Sequence, residues 1–343
     1  MRKNLFATTP GIIIVGAVIG LIAVWLQKLG NPANMGICVA CFERDVAGGL
    51  GLHRAAIVQY LRPEIMGLVL GSLAAAIATR IAAMGALVFL GCPWRAILRL
   101  AGGDGNAILG LAGLATGIWF GTLFFKKGYS LGRSNSQSVV SGALFPVIAV
   151  CLLLLYLIFP QIPDQPQSGP LFYSVKGPGS QHAPFIASLG LAFIIGIFAQ
   201  RSRFCTMGAF RDLFLFRYTH LFLGLAAMFA AAFIANALTG GLKFGFEGQP
   251  VAHSDFLWNY LGMVTAGLAF ALAGGCPGRQ LFMAGEGDSD AGIFALGMLV
   301  GAAMAHNLGT ASSGTGIGVY GMQATIIGFA VCLIIGFVHS KKA

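Results

Sequence analysis

Long apolar stretches recur along the chain and restrict it to one broad class of fold. Ten windows of mostly apolar residues alternate with short polar segments, and most approach the roughly 20 residues that a helix needs to cross a ~30 Å hydrocarbon layer. They lie near residues 10–28, 64–79, 81–91, 107–125, 139–159, 183–200, 220–238, 256–275, 291–309 and 318–339. Charged residues make up only 9% of the chain, against about one quarter in a soluble domain. The sequence therefore predicts an all-α polytopic membrane protein whose core is a helix bundle.

Two of these windows differ from ordinary spans. The window 81–91, separated by Arg80 from the one before it, is too short to cross as a full helix. The first window follows Arg2 and Lys3, as the apolar region of a signal peptide would. It lacks a small-residue cleavage site and is followed by further spans, so we expect a retained membrane helix.

Basic residues predict the orientation of the helices. With ten crossings, one side receives Arg2 and Lys3, then Lys126, Lys127 and Arg133, then Arg201 and Arg203, and finally Lys341 and Lys342. Because cytoplasmic loops are enriched in Lys and Arg, we expect this side and both termini to face the cytoplasm of a bacterial inner membrane. The net charge of +10 is mostly this excess, and no basic motif in the sequence indicates binding to nucleic acid.

The chain also contains an internal repeat that is anchored on cysteines. Residues 36–45 read GICVACFERD and residues 203–212 read RFCTMGAFRD, so Cys38 and Cys205 stand at the same distance before an Arg-Asp pair. Both segments are too short and too polar to span the membrane. We expect them to be re-entrant or interfacial pieces that line a pathway, since irregular backbone is tolerated at membrane depth where it lines a cavity.

A second pair of matching segments contains a Gly-Cys-Pro-x-Arg motif. GCPWRAILRLAGGDG (91–105) and GCPGRQLFMAGEGDS (275–289) share Pro after the cysteine, Arg three positions after it and Asp twelve positions after it. Glycine lets the chain leave one helix, and proline suits the first position of the next. Cys92 and Cys276 are therefore predicted at the N-caps of two half-helices, where free N–H groups favour an anion.

Four arginines accompany these cysteines in the repeat, namely Arg44, Arg95, Arg211 and Arg279. Arg95 and Arg279 follow the Cys-Pro pairs by about one helical turn, so they place positive charge near the predicted N-caps. Arg44 and Arg211 each precede an aspartate. Since ionisable groups inside a membrane usually pair, we expect these two to hold the short segments in place, with attraction of an anion as the second interpretation.

The repeat divides the chain into two transmembrane halves. We assign the first repeat to residues 1–160, an extracytoplasmic connecting loop to 161–182, and the second repeat to 183–343. Each half holds five spans in the same order, and an odd number means that the second copy enters the membrane upside down. Inverted repeats of this kind are typical of transporters, with the substrate site near the midplane.

The remaining cysteines and histidines suggest other chemistry only weakly. Cys38 and Cys41 form a C-x-x-C pair that would suit a membrane thiol oxidoreductase, but the second copy has Gly208 in place of Cys41. Cys151 and Cys332 lie in apolar runs and are interpreted as packing residues. The histidines are scattered without the short spacing of metal ligands, so we expect no metal, no cofactor and no enzymatic activity.

The motifs taken together resemble a known family. NMGICVACFERD, the two GCP[WG]R motifs and MAGEGDSD are similar to segments of the YeeE/YedE family of sulfur-compound membrane transporters, and closest to the YedE branch, which is associated with selenium. This resemblance covers nearly the whole chain. It implies an hourglass-shaped inverted repeat that takes up thiosulfate or a selenium compound, and a small cytoplasmic sulfur carrier (TusA-like) or rhodanese-like protein as partner.

The resemblance also implies roles for the thiols. Cys92 and Cys276 match the central cysteines that pass the ion along by weak thiol–sulfur hydrogen bonds, and Cys205 matches a third. Cys38 is a fourth by internal symmetry, and Cys41 is an addition near the entrance. A thiol is a weak donor and weak acceptor, so several in series allow a soft anion to enter and still leave. A generic small-anion channel remains the other alternative.

Overall fold

The computed structural model describes residues 8–66, 68, 88–130 and 138–340, and this part of the chain is almost entirely helical. Its twelve α-helices are α1 (Thr9–Lys28), α2 (Val39–Gly49), α3 (Pro93–Ala101), α4 (Asn106–Lys126), α5 (Val139–Ile158), α6 (Phe185–Ser202), α7 (Thr206–Phe216), α8 (His220–Leu238), α9 (Phe256–Leu272), α10 (Pro277–Gly285), α11 (Ser289–Asn307) and α12 (Gly321–His339). Between α5 and α6, strands β1 (Gln167–Ser168) and β2 (Leu171–Phe172) pair antiparallel.

The long helices coincide with the apolar windows of the sequence. Eight predicted spans are helices in the structure, and eight stretches of the described residues are long and apolar enough to cross a membrane. The chain is therefore an all-α multi-pass membrane protein, as the sequence predicts. The windows near 64–79 and 81–91 lie mostly outside the described residues.

Four helices are too short to cross the membrane. Helices α2 and α7 have 11 residues each, and α3 and α10 have 9 each. At a rise of 1.5 Å per residue these lengths correspond to about 14–17 Å, which is roughly half of the hydrocarbon thickness. Every residue of α2 is buried. Helices α3 and α10 are also almost entirely buried, whereas only the first four residues of α7 are buried. All four half-helices begin at a repeated cysteine.

Glycines allow the long helices around this centre to pack at close range. A Cβ on Gly16 of α1 would overlap the backbone of Gly224 on α8, and one on Gly117 of α4 would overlap the backbone of Val264 on α9. Such contacts are possible only without a side chain, and small residues have this role at helix interfaces in lipid. The pairs α1/α8 and α4/α9 consequently join the first half of the chain to the second.

Two glycine-to-alanine substitutions, one at a close helix contact and one at an open position, test this packing. Gly117→Ala should destabilise the protein by about 1–3 kcal/mol, because the new Cβ displaces the Val264 carbonyl and with it α9. Gly190 on α6 is the matched control, since a Cβ there has nothing within 4 Å, and Gly190→Ala should be neutral or stabilising by up to ~1 kcal/mol. Thermal unfolding in detergent measures both, and equal melting temperatures for the two variants would contradict the close contact.

The segment between α5 and α6 folds back onto the first half. Its Ser174 amide donates to the carbonyl of Gln59 at 2.7 Å, and its His182 ring stacks on Tyr60 with 4.4 Å between ring centroids. Burial lowers the pKa of His182, and the nearby Arg62 guanidinium lowers it further. The neutral imidazole thus packs against the ring of Tyr60.

Candidate substrate pathway

Each of the four repeated cysteines is the N-cap of a half-helix. Cys92 and Cys276 precede Pro93 and Pro277, and their backbone angles are φ −83°, ψ 171° and φ −80°, ψ 162°. Cys38 has φ −140°, ψ 101° and Cys205 has φ −151°, ψ 121°. The two copies of the repeat therefore share backbone conformation as well as residue type. The N-cap position of Cys92 and Cys276 follows the sequence prediction, whereas that of Cys38 and Cys205 was not predicted.

In the first half, three thiols form one buried group. The Cys38 Sγ lies 2.7 Å from the Cys41 Sγ and accepts the Cys41 backbone N–H at 3.4 Å. Cys92, at the N-cap of α3, interacts with Cys38, but its thiol makes no hydrogen bond to the first turn of its own helix. The Arg95 guanidinium of α3 donates to the Cys41 Sγ at 3.4 Å, so the N-terminal ends of α2 and α3 meet at these thiols. We call Cys38, Cys41 and Cys92 the first thiol group.

In the second half, two thiols repeat this arrangement. The Cys205 Sγ lies 3.8 Å from the Cys276 Sγ and accepts the backbone N–H of Gly208 at 3.3 Å. The Cys276 thiol, at the N-cap of α10, is fully buried and makes no hydrogen bond to the first turn of that helix. We call Cys205 and Cys276 the second thiol group. Here too two helix N-termini, those of α7 and α10, direct their free amides and positive dipole ends to one place.

The repeated Arg-Asp pairs are ion pairs in both halves, but their surroundings differ. In the first half, Asp45 is fully buried and receives Arg44 on one carboxylate oxygen and Arg62 on the other, each at 2.7 Å. In the second half, Arg211 pairs with Asp212 at 2.7 Å, and these side chains are 36% and 17% exposed. The structure thus supports a positioning role for Arg44, while Arg211 lies at a solvent-accessible cavity.

Arg95 is a buried cation without an acidic partner in the part of the chain that the structure describes. It donates to the Val251 carbonyl at 2.6 Å, to the Leu90 carbonyl, and to the Cys41 Sγ at 3.4 Å. Its Nε has no hydrogen-bond acceptor among the described residues. A buried guanidinium that contacts only neutral groups favours the approach of an anion. Because Arg95 contacts Cys41, its positive charge lies at the first thiol group.

The repeated aspartates of the Cys-Pro segments have a structural role. Asp104 pairs with Arg99 at 2.6 Å and accepts the backbone N–H of Asn106, in the first turn of α4, at 2.9 Å. Asp288 is the N-cap of α11 and accepts from the backbone of Ala291 at 2.9 Å. Both aspartates therefore fix the start of the long helix that follows a half-helix.

The second thiol group borders an open cavity of about 380 Å³. Its lining includes Cys205, Arg203, Arg211, Asp212, His220 and Arg279. Arg279 lies 3.4 Å from Glu286, and burial raises the pKa of Glu286 to about 7, against the opposing effect of Arg279. The cavity thus presents three guanidinium groups beside a cysteine. The three cysteines of the first thiol group are buried to within 1%, whereas Cys205 is 7% exposed.

Two features of the site were not predicted from the sequence. Arg62 lies outside the repeated motifs, and its only sequence signal is a basic residue in a short polar gap. Trp94 is inside the first Cys-Pro motif, and the equivalent position of the second motif holds Gly278. The Trp94 ring contacts Phe204 and Phe282 of the second half. Of the two cysteines interpreted as packing residues, Cys151 has an exposed side chain on α5, whereas Cys332 is partly buried.

No group of three His, Cys, Asp or Glu side chains within the described ranges is arranged to hold a metal ion. The site instead consists of thiols, helix N-termini and guanidinium groups. This combination offers an anion both positive charge and soft, weakly hydrogen-bonding sulfur atoms.

Comparison with known proteins points in the same direction. Residues 201–336 match the model of a family described as sulphur transport. The chain is also 32% identical over 106 residues to the thiosulfate transporter TsuA of Spirochaeta thermophila, a match that covers 31% of this chain and 32% of TsuA. The chain therefore spans about a third of the length of this relative. The family match includes α7 and α10, and hence both cysteines of the second thiol group.

Proposed function

We propose that the chain takes up a small sulfur- or selenium-containing anion through a pathway lined by cysteine thiols, a function supported by the match of residues 201–336 to the sulphur transport family. The residues of the pathway are Cys38, Cys41, Cys92, Cys205 and Cys276. The resemblance to YeeE/YedE transporters, drawn from the cysteine motifs, supports the same function. The protein then acts as a transporter and not as an enzyme.

The observation that carries the proposal is the N-cap position of the four repeated cysteines. A helix N-terminus attracts negative charge through its free amides and its dipole. A thiol placed there meets the soft terminal atom of an anion such as thiosulfate, while the amides and arginines interact with its charge. Since each thiol is a weak partner, the anion can pass from one group to the next without being trapped.

The direction of transport follows from the predicted orientation. With both termini in the cytoplasm of a bacterial inner membrane, the cavity beside Cys205 and Arg211 faces the cytoplasm, and the segment 161–182 lies on the outer side. The first and second halves then form inverted repeats, with the two thiol groups on either side of the midplane. Arg203, Arg211 and Arg279 would hold the anion at the exit, where a small sulfur-carrier or rhodanese-like protein receives it.

Uptake by the purified protein in liposomes tests the proposal. We expect labelled thiosulfate to accumulate inside, competition by unlabelled thiosulfate or selenite, and little competition by sulfate, which has the charge but no soft terminal atom. Equal transport of sulfate, chloride and thiosulfate would instead support a generic anion channel. Absence of uptake of any sulfur or selenium anion would overturn the proposed function.

A second candidate function, a membrane thiol oxidoreductase, is favoured by one observation. Cys38 and Cys41 lie one helical turn apart at the start of α2, with 2.7 Å between their sulfur atoms, which is the arrangement of a redox-active dithiol at a helix N-terminus. Only the first half carries it, because Gly208 replaces Cys41 in the second. Variants of Cys38 and Cys41 separate the two functions.

A further inference from the structure

We propose that Trp94 is the central barrier of the pathway and a substrate-contacting residue. Its ring separates the first thiol group from the second, and its indole N–H donates to an oxygen of the passing anion. This inference rests on the proposed transport function and specifies how the same site excludes other solutes.

The position of Trp94 connects the two thiol groups. It lies two residues after Cys92 on α3 and is only 1% exposed. Its ring packs edge-on against Phe204, at 5.5 Å between centroids, and lies tilted against Phe282 at 5.7 Å. Phe204 directly precedes Cys205, and Phe282 is on α10, which begins at Cys276. The indole thus extends from the helix of the first thiol group to the helices of the second.

The repeat supplies the space for this ring. The position equivalent to Trp94 in the second Cys-Pro motif is Gly278, in the first turn of α10. A Cβ on Gly278 would lie 3.3 Å from the Trp94 Cε2 and 3.6 Å from its Nε1. The large side chain of one copy therefore covers the glycine of the other, and a single residue occupies the centre between the copies.

The indole N–H is a buried donor without an acceptor among the described residues. Two further polar side chains, on the first turns of α7 and α10, are also buried without a hydrogen-bond partner among the described residues. Both amide atoms of Gln280 and the hydroxyl of Thr206 are fully buried and have no hydrogen-bond partner in the described part of the chain. Buried polar groups are normally paired, so a set of unpaired ones beside Cys205 and Cys276 indicates a ligand with oxygen atoms.

These observations assign the two ends of the anion to different groups. The soft sulfur or selenium atom contacts the thiols of Cys205 and Cys276. The oxygen atoms accept hydrogen bonds from Trp94, from Gln280 on the first turn of α10 and from Thr206 on the first turn of α7. A solute that lacks either end makes only part of these contacts, and the indole ring remains in its way.

Two substitutions separate the donor from the barrier. Trp94→Phe keeps an aromatic ring and removes the N–H, so we expect the KM for thiosulfate uptake to rise about tenfold or more, as for loss of a hydrogen bond to a charged group, with chloride leak unchanged. Trp94→Gly removes the ring, and chloride efflux from preloaded liposomes should rise about tenfold or more above wild type. Trp94→Leu serves as the second barrier variant if the glycine variant does not fold.

Trp119→Phe is the matched control, because Trp119 is 45% exposed on α4, and it should leave KM and leak unchanged. A wild-type KM in Trp94→Phe would overturn the donor role, and a wild-type leak in folded Trp94→Gly or Trp94→Leu would overturn the barrier. The leak assay does not depend on the substrate. If wild type failed to transport sulfur anions and Trp94→Gly still leaked, the barrier would stand and the proposed function would fall.

Discussion

Replacing Asp45 by asparagine should destabilise the protein by about 3–5 kcal/mol, the usual cost of breaking a buried ion pair from one side. Asp45 is fully buried between Arg44 and Arg62, each at 2.7 Å from one of its carboxylate oxygens. The amide keeps the size of the side chain and removes the charge. Two buried guanidinium groups then lose the only carboxylate that lies within ion-pair distance of them among the described residues.

The effect should extend beyond α2, because Arg62 connects it to the segment between α5 and α6. Arg62 donates to the Pro178 carbonyl at 2.7 Å and to the Gln181 carbonyl at 2.9 Å, and its guanidinium stacks over Phe42. Asp45→Asn is therefore expected to lower the melting temperature in detergent and to increase proteolysis within residues 161–182.

The repeat provides the matched control for this prediction. Asp212 occupies the position of Asp45 in the second half, but its pair with Arg211 is partly exposed, with 36% exposure of the arginine. Solvent screens such a pair, and exposed pairs contribute about 0–1 kcal/mol. Asp212→Asn should thus leave the melting temperature nearly unchanged. An equal decrease in melting temperature in the two variants would show that the buried ion pair contributes no more stability than the exposed one.

The sequence predicts the parts of this structure that depend on local pattern. The long helices follow from hydropathy, and the N-cap positions of Cys92 and Cys276 follow from Gly-Cys-Pro, because proline at the first helical position is a local preference. The pairing of Arg44 with Asp45 also follows, since an isolated charge inside a membrane protein is costly.

The sequence does not predict how the two copies differ in space. A repeat indicates two equivalent sites, yet Cys205 borders a cavity whereas the three cysteines of the first thiol group are buried to within 1%. Arg62 is the second arginine that pairs with Asp45 in the first half. It belongs to no repeated motif, and only the tertiary fold brings it to Asp45. The two copies of the repeat differ in sequence at Trp94 and Gly278. Only the structure shows that the Trp94 ring covers Gly278.

The thiol pathway itself predicts the largest functional loss. Cys92→Ala and Cys276→Ala should each reduce thiosulfate uptake to about a tenth of wild type or less, a change that corresponds to ~1.4 kcal/mol in the barrier, because each removes the sulfur at a helix N-terminus. Cys151→Ala on the exposed face of α5 is the control and should transport normally. Normal uptake by well-folded Cys92→Ala and Cys276→Ala proteins would refute the thiol pathway.

Two further variants separate transport from redox chemistry. Cys41→Gly gives the first half the residue of the second, Gly208, and should retain most of the uptake, because the four cysteines that both copies share still line the pathway. Cys38→Ala removes a shared cysteine and should reduce uptake. An oxidoreductase would need both thiols of the C-x-x-C pair. Loss of activity in both variants, together with a mixed disulfide trapped at Cys38 or Cys41, would therefore favour the oxidoreductase over the transporter.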